Sequence, residues 1–325
     1  MTKLYAIRTT VRAWGVCALF AAALFLVPGP LQGDLSKFRM PSYTLSLFTL
    51  PGQSVSLDLG SYAGMSRGQL QRLHITPGDV TVKLTEDGLF RLTPPRIVGI
   101  HSVRFQNVMP EGAPAAKAFT IQVVVMRPAS DLVGGELNGY PVGTYPMPST
   151  ESKWQYEPPA GFVEITELNR ETPISDHFVL GDLDCKLEAP YPHYASIHTS
   201  LLVKLEGLVD ELNRRGMRGD ALRIMSGYRT PDYNRSIGNR TRFSRHVLGD
   251  AADVFIDADA DDTMDDLTGD GQSTHRDALA LYRVVEEMDN SAGYAPLVGG
   301  ASAYRPNSSH GPFVHLDTRG YPARW

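Results

Sequence analysis

The sequence predicts an α+β chain in which a small all-β, sandwich-like region precedes a domain that mixes helix and strand. Three observations predict it. Between residues 38 and 128, short alternating apolar runs are broken by Pro51-Gly52, Pro77-Gly78 and Asp87-Gly88. Residues 129–161 are then rich in Gly, Pro, Ser and Tyr. Beyond them, apolar residues recur at helical spacing and alternate with short buried-strand runs.

The elements follow in chain order. Residues 1–33 place Lys3, Arg8 and Arg12 before an apolar run from Ala13 to Val27, which Pro28-Gly29-Pro30 ends. A basic stretch before a short apolar one is the pattern of an export signal. No A-x-A site follows it, so an uncleaved inner-membrane anchor is the other reading. Both place the body of the protein outside the cytoplasmic membrane, in the periplasm or cell envelope. Without this segment 28 basic groups face 36 acidic ones, which argues against nucleic acid as a partner. Of the two cysteines, Cys17 lies in the apolar run. Cleavage would leave Cys185 alone, a small buried hydrophobe rather than a nucleophile.

Strands are expected at Tyr43 to Leu50, Ser54 to Leu59, Val80 to Leu84, Leu89 to Leu92, Val103 to Gln106 and Phe119 to Met126. That density within ~90 residues predicts a sandwich-like domain over 34–128. It carries no metal-ligand cluster and reads as a spacer or partner-binding module. Residues 129–161 read as a linker, because their prolines disfavour helix and central strand. Tyr140, Tyr145, Trp154 and Tyr156 would pack it down.

Residues 162–325 form the last domain. Leu201, Leu205, Leu208 and Leu212 lie on one face of an expected helix that Gly216 stops. A buried strand from Leu222 to Met225 runs into S-G-Y-R-T-P, residues 226–231. That turn sets Ser226, Tyr228 and Arg229 at a strand end, where an arginine can clamp a carboxylate or a developing oxyanion. Next comes S-R-H-V-L-G-D-A-A-D, residues 244–253. Gly249 permits a bend between His246 and Asp253, and the strand continues through Val254 to Ile256. In F-V-H-L-D, residues 313–317, His315 and Asp317 share one strand face, so Asp317 can fix the imidazole of His315. Two histidines and one aspartate, with a fourth position open, suit a catalytic zinc ion.

These three motifs resemble the LAS-type zinc peptidases: the D-Ala-D-Ala carboxypeptidases and dipeptidases and the murein endopeptidases. The resemblance runs from about residue 201 to 325, the acidic insertion at 257–277 excepted. It implies a compact α+β domain on a small antiparallel sheet with flanking helices, and Zn²⁺ on His246, Asp253 and His315. It implies that Arg229 contacts substrate or stabilises the tetrahedral intermediate, with Ser226 and Tyr228 beside it. The implied reaction is hydrolysis of an amide in peptidoglycan stem peptides or crosslinks by metal-activated water. One departure matters. Dipeptidases of this family carry a Glu three residues before the last ligand and others an acid or a His just before it, the murein endopeptidase branch lacking that acid; here those positions hold Pro312 and Phe313. His310 and Asp317 are then the candidate general bases.

The acidic insertion has its own pattern. With Gly271 as the sixth residue of a calcium loop, Asp266, Thr268, Asp270, Gln272, Thr274 and Asp277 fall at the ligand positions, a dockerin-like loop for Ca²⁺. Asp257, Asp259 and Asp261 would begin a second, overlapping loop. Two alternatives to the peptidase reading follow: a non-catalytic peptidoglycan-binding module, and a calcium-dependent cell-surface scaffold.

Overall fold

A computed structural model describes residues 43–107, 118–151 and 153–325. The expected export signal and Cys17 lie outside them. The chain is a mixed α and β protein with several small sheets. Among the described residues no helix is long and apolar enough to cross a membrane.

The first part contains β1 (Thr44–Thr49), β2 (Val55–Leu57), α1 (Leu59–Ala63), α2 (Arg67–Leu70), β3 (Leu73–Thr76), β4 (Thr81–Leu84), β5 (Phe90–Thr93), β6 (Gly99–Asn107) and β7 (Ala118–Val125). They make two sheets, of order β1-β7-β6-β3 and β2-β5-β4. Alternate side chains from both sheets enter one apolar cluster: Leu45 and Leu47 of β1, Val103 and Phe105 of β6, Phe90 and Leu92 of β5. The rings of Phe90 and Phe105 meet edge to face across the two sheets, 5.0 Å apart. Val203 and Leu297, from the C-terminal part of the chain, complete this cluster. Two buried hydrogen bonds reinforce that contact: Thr199 Oγ1 donates to Ser46 O at 2.8 Å, and Ser46 Oγ donates to Ile174 O at 2.6 Å.

The Gly/Pro/Tyr-rich stretch is folded down rather than extended. It holds β8 (Arg127–Pro128), the hairpin β9 (Glu136–Leu137) and β10 (Tyr140–Pro141), and α3 (Lys153–Tyr156). β11 (Gly161–Ile165) then lies between β8 and β12 (His193–Ala195). Tyr140 and Val142 are buried in the core of the C-terminal part. Gly161 is required here, because a Cβ would stand 2.7 Å from Leu50 Cδ2 and 2.8 Å from Arg127 O.

The C-terminal part comprises α4 (Thr199–Arg214), β13 (Leu222–Ser226), α5 (Pro231–Ser236), α6 (Arg245–Leu248), β14 (Ala251–Ile256), α7 (His275–Asp289), β15 (Gly300–Tyr304), β16 (Phe313–Asp317) and β17 (Ala323–Arg324). Its sheet has the order β13-β14-β16-β15-β17, antiparallel except for the β15–β17 pair. The leucines of α4 and the apolar face of α7 share the core beneath it. One cation is buried with them. Lys204 Nζ donates to Asp289 Oδ1 at 2.6 Å and to Asp317 O at 3.0 Å, tying α4 to the end of α7 and to β16.

Candidate metal centre

Strand register builds the site. β14 and β16 pair so that Asp253 stands directly opposite His315. His246 comes from α6, which Gly249 ends in the left-handed region at φ 83°. A Cβ there would lie 2.3 Å from Ser196 O, so the bend that returns the chain to β14 needs glycine. The S-R-H-V-L-G-D-A-A-D stretch is thus a short helix, a turn and a strand, with its histidine and aspartate converging.

The three expected ligands meet. His246 Nε2 lies 3.2 Å from Asp253 Oδ1 and 3.2 Å from His315 Nδ1, and His315 Nδ1 lies 3.0 Å from Asp253 Oδ1. A tetrahedral ion with bonds of 2.0–2.1 Å holds neighbouring ligand atoms about 3.3–3.4 Å apart, so the triangle fits zinc. The outer nitrogens are fixed. His246 Nδ1 donates to Gly227 O at 2.8 Å, and His315 Nε2 faces Asp317 Oδ2 at 3.2 Å. Each bond turns the other ring nitrogen inward with its lone pair free for a cation. All three ligand side chains are buried.

Electrostatics agree with a cation seat. Burial pushes His246 down from the usual histidine value. Burial also lowers His315, but hydrogen bonds that the ring donates to Asp253 and Asp317 outweigh it and push that ring up to about 9. Burial raises Asp253, yet the charge and hydrogen bonds of His246 and His315 hold its carboxyl well below the carboxylate range. Without a metal, a proton is the positive charge this cluster retains.

Arg229 and Ser226 stand beside the ligands. Arg229 Nη2 pairs with Asp253 Oδ2, and its Nε donates to Ser226 Oγ at 2.8 Å. Both line a cleft of about 1110 Å³ that reaches the metal ligands. Tyr228, expected to contact substrate, does not line it. Tyr228 is 1% exposed, and its hydroxyl meets that of Tyr145 at 2.6 Å. The S-G-Y-R turn sends tyrosine inward and arginine outward, which four residues of sequence do not specify.

Asp317, expected as one of two bases, is already saturated. Its carboxylate accepts from Gly300 N at 2.7 Å, Arg319 N at 3.1 Å and Arg319 Nε at 2.9 Å, as well as facing His315. Burial would raise its pKa, but His315 and Arg319 hold it well below the usual range. A fully buried carboxylate with that many donors is a poor base, and Asp317 positions His315 instead. Gly299 belongs to this cradle: a Cβ there would lie 1.8 Å from Asp317 O. His310 does line the cleft. Its Nδ1 donates to Gly311 O at 2.7 Å and its Nε2 accepts from Asn307 Nδ2 at 2.8 Å.

Several site residues escape sequence reasoning. Arg319 follows Asp317 by two positions, and that D-x-R spacing is the signal that could have found it. Trp325 lies 5.2 Å from the His315 ring and donates from Nε1 to Tyr304 Oη at 2.8 Å. Tyr304 stacks on Phe313, its cross-strand partner, at 4.6 Å. Behind α6 a buried Arg245–Asp250 pair holds the turn, with Arg245 Nε 2.9 Å from Asp250 Oδ1. Cys185 is buried, and burial pushes its thiol up, against any nucleophilic role.

The carboxylates of the acidic insertion, read from the sequence as a calcium loop, hydrogen-bond within the loop. Asp266 spends its carboxylate on the amides of Gly269 at 2.7 Å and Gly271 at 2.6 Å, among others. Asp277 is buried and accepts from Leu267 N at 2.9 Å, Thr268 N at 3.0 Å and Thr274 N at 2.7 Å, capping α7. Asp270 pairs with Arg276 at 3.2 Å, and Gln272 is exposed. Asp277 is a methylene shorter than the glutamate usual at the last position of a calcium loop, and it is the N3 residue of the α7 capping box. Among the described residues, the groups close enough to share an ion are His246, Asp253 and His315, and Asp257, Asp259 and Asp265.

Comparison with known proteins follows the same outline. Residues 190–268 match the family described as Peptidase M15. The matched stretch takes in Arg229, His246 and Asp253 and stops before His315. No curated protein matches the chain. A solved endo-fucoidan hydrolase from glycoside hydrolase family 107 aligns at 19% identity with a TM-score of 0.20. That alignment covers 31% of this chain and spans only 20% of the hydrolase, and it carries no argument about fold or function. The converging ligand set and the family match fall in one place: residues 190–268, which hold two of the three ligands, are similar to a Peptidase M15 domain.

Proposed function

We propose that this protein is an exported zinc metallopeptidase that hydrolyses an amide bond in peptidoglycan stem peptides or crosslinks. The observation that carries this is the triangle of His246 Nε2, Asp253 Oδ1 and His315 Nδ1, with edges of 3.0–3.2 Å, at the base of an open cleft. A zinc ion held there supplies Lewis-acid chemistry, acidifying water and polarising an amide carbonyl. The chain's own residues do the rest. Gly227 O and Asp317 keep the two imidazoles in the tautomers that bind a metal. Arg229, steadied by Ser226, presents its guanidinium to the cleft, where it can meet a substrate carboxylate or a developing oxyanion. His310 is the cleft imidazole outside the ligand set, and we assign it the proton transfer.

Export to the periplasm or cell envelope rests on the basic-then-apolar pattern of residues 1–33. The second reading, a non-catalytic peptidoglycan-binding module, is favoured by one observation: Asp253 is the sole carboxylate lining the cleft among the described residues. Metal analysis with digestion of purified murein separates the two. One zinc per chain and released muropeptides support the peptidase. Zinc without products supports the binding module. His246→Ala should lose both zinc and cleavage, and a variant that still cleaves would refute the assignment.

A further inference from the structure

Beside the metal cleft lies a second pocket of about 650 Å³. The two share Asn239, Thr241 and Arg242, in the connection from α5 to α6, so one bound chain can pass between them. Three arginines and no carboxylate line the second pocket. Arg235 is neutralised by its pair with Asp232 just outside it. Arg240 has no hydrogen-bond or ion-pair partner among the described residues. Arg242 donates to Met147 O at 3.4 Å and lies 5.1 Å from the Phe243 ring, contacts that leave its charge without a counter-ion. The remaining lining joins an apolar set, Tyr145, Pro146, Pro231 and Val247, to the neutral polar side chains of Thr144, Asn234, Asn239 and Thr241.

Two uncompensated guanidinium groups beside a wall of mixed apolar and neutral polar side chains suit a planar anion on a peptide-like chain. We propose that this pocket is a second peptide subsite, in which Arg240 and Arg242 take a carboxylate of a segment whose scissile amide lies at the metal centre. The inference rests on the peptidase reading above and deepens it. A substrate that fills both pockets extends well beyond the reacting bond, as a crosslinked pair of stem peptides does.

The test uses the zinc-loaded protein and a crosslinked stem-peptide dimer, with its carboxylates either free or amidated. The wild type should favour the free acid. Arg240→Gln with Arg242→Gln should lower the acid-to-amide ratio of kcat/KM about tenfold or more, mainly through KM. Arg240→Lys with Arg242→Lys should keep part of that preference. An unchanged ratio in the glutamine variant overturns the subsite. If the wild type cleaves neither dimer, the peptidase reading is what has failed. Calorimetric binding of the free-acid dimer then decides: weaker binding in the glutamine variant upholds the subsite, and equal binding overturns it.

Discussion

His315 Nε2 stands 3.2 Å from Asp317 Oδ2, and that contact aims the opposite ring nitrogen at Asp253. The carboxylate that orients the ligand is itself held by Arg319 and the Gly300 amide. The site therefore depends on a residue that touches neither metal nor substrate.

Asp317→Asn tests this dependence. The amide keeps the shape but loses the charge that fixes the imidazole, and Arg319 loses its counter-ion. Zinc affinity should fall about 10–100-fold. Competition with a chromophoric chelator measures it, with circular dichroism as the check on folding. Unchanged affinity would mean that Asp317 does not orient the ligand.

Zinc uptake should release protons, and the sign follows from His315. Its metal-free ring holds a proton up to about 9 because burial, which would lower it, is outweighed by Asp253 and Asp317. At pH 7 that proton must leave when zinc enters. Apparent affinity should therefore rise with pH by roughly a factor of ten per unit below about pH 9 and flatten above it. Calorimetry in buffers of different ionisation enthalpy counts the protons. Release of none at pH 7 would contradict this picture of the site.

Lys204 offers a test of packing. Its ammonium is fully buried between Asp289 and the Asp317 carbonyl. Lys204→Met removes one partner of a buried pair and should cost about 3 kcal/mol, the lower end of the expected range, because Arg324 still binds Asp289 at 2.9 Å. Urea unfolding followed by fluorescence gives the value, and a loss below about 1 kcal/mol would show that the pair adds little.

The same buried lysine marks where sequence reading stops. The leucine spacing of α4 reveals which face is apolar, but not that Lys204 lies within it, because Asp289 is 85 residues away. The ligand set was legible because each member sits in a local pattern: a helix-and-glycine turn for His246, strand alternation for Asp253 and His315. The strands of the first part follow from period-two alternation. Helices α1 and α2 have too few turns to show a periodicity, and β9 and β10 hide among glycines and prolines. The inward turn of Tyr228 depends on Tyr145, 83 residues earlier, and no local pattern encodes it.

Asp277 caps α7 through its bonds to the Thr274 amide and hydroxyl. Asp277→Ala should therefore cost about 1–2 kcal/mol through loss of the cap. The cost should be the same with calcium or with a chelator present. Thermal unfolding under both conditions measures it. A calcium-dependent rise in the wild-type Tm that the variant lacks would restore the cation reading.

His310 decides whether the cleft can move a proton. Its Nε2 accepts from Asn307, which holds the ring at the cleft wall and leaves Nδ1 on the Gly311 carbonyl. To act as a base the ring must exchange the Asn307 contact for water or substrate, and an exposed asparagine on a loop allows that exchange. His310→Ala should then retain zinc and lower kcat about 10²–10⁴-fold, with a much smaller change in KM. A kcat loss that added imidazole restores in part would assign the proton transfer to the ring itself. If the variant keeps full kcat, proton transfer passes to another group, and His310 is only part of the wall.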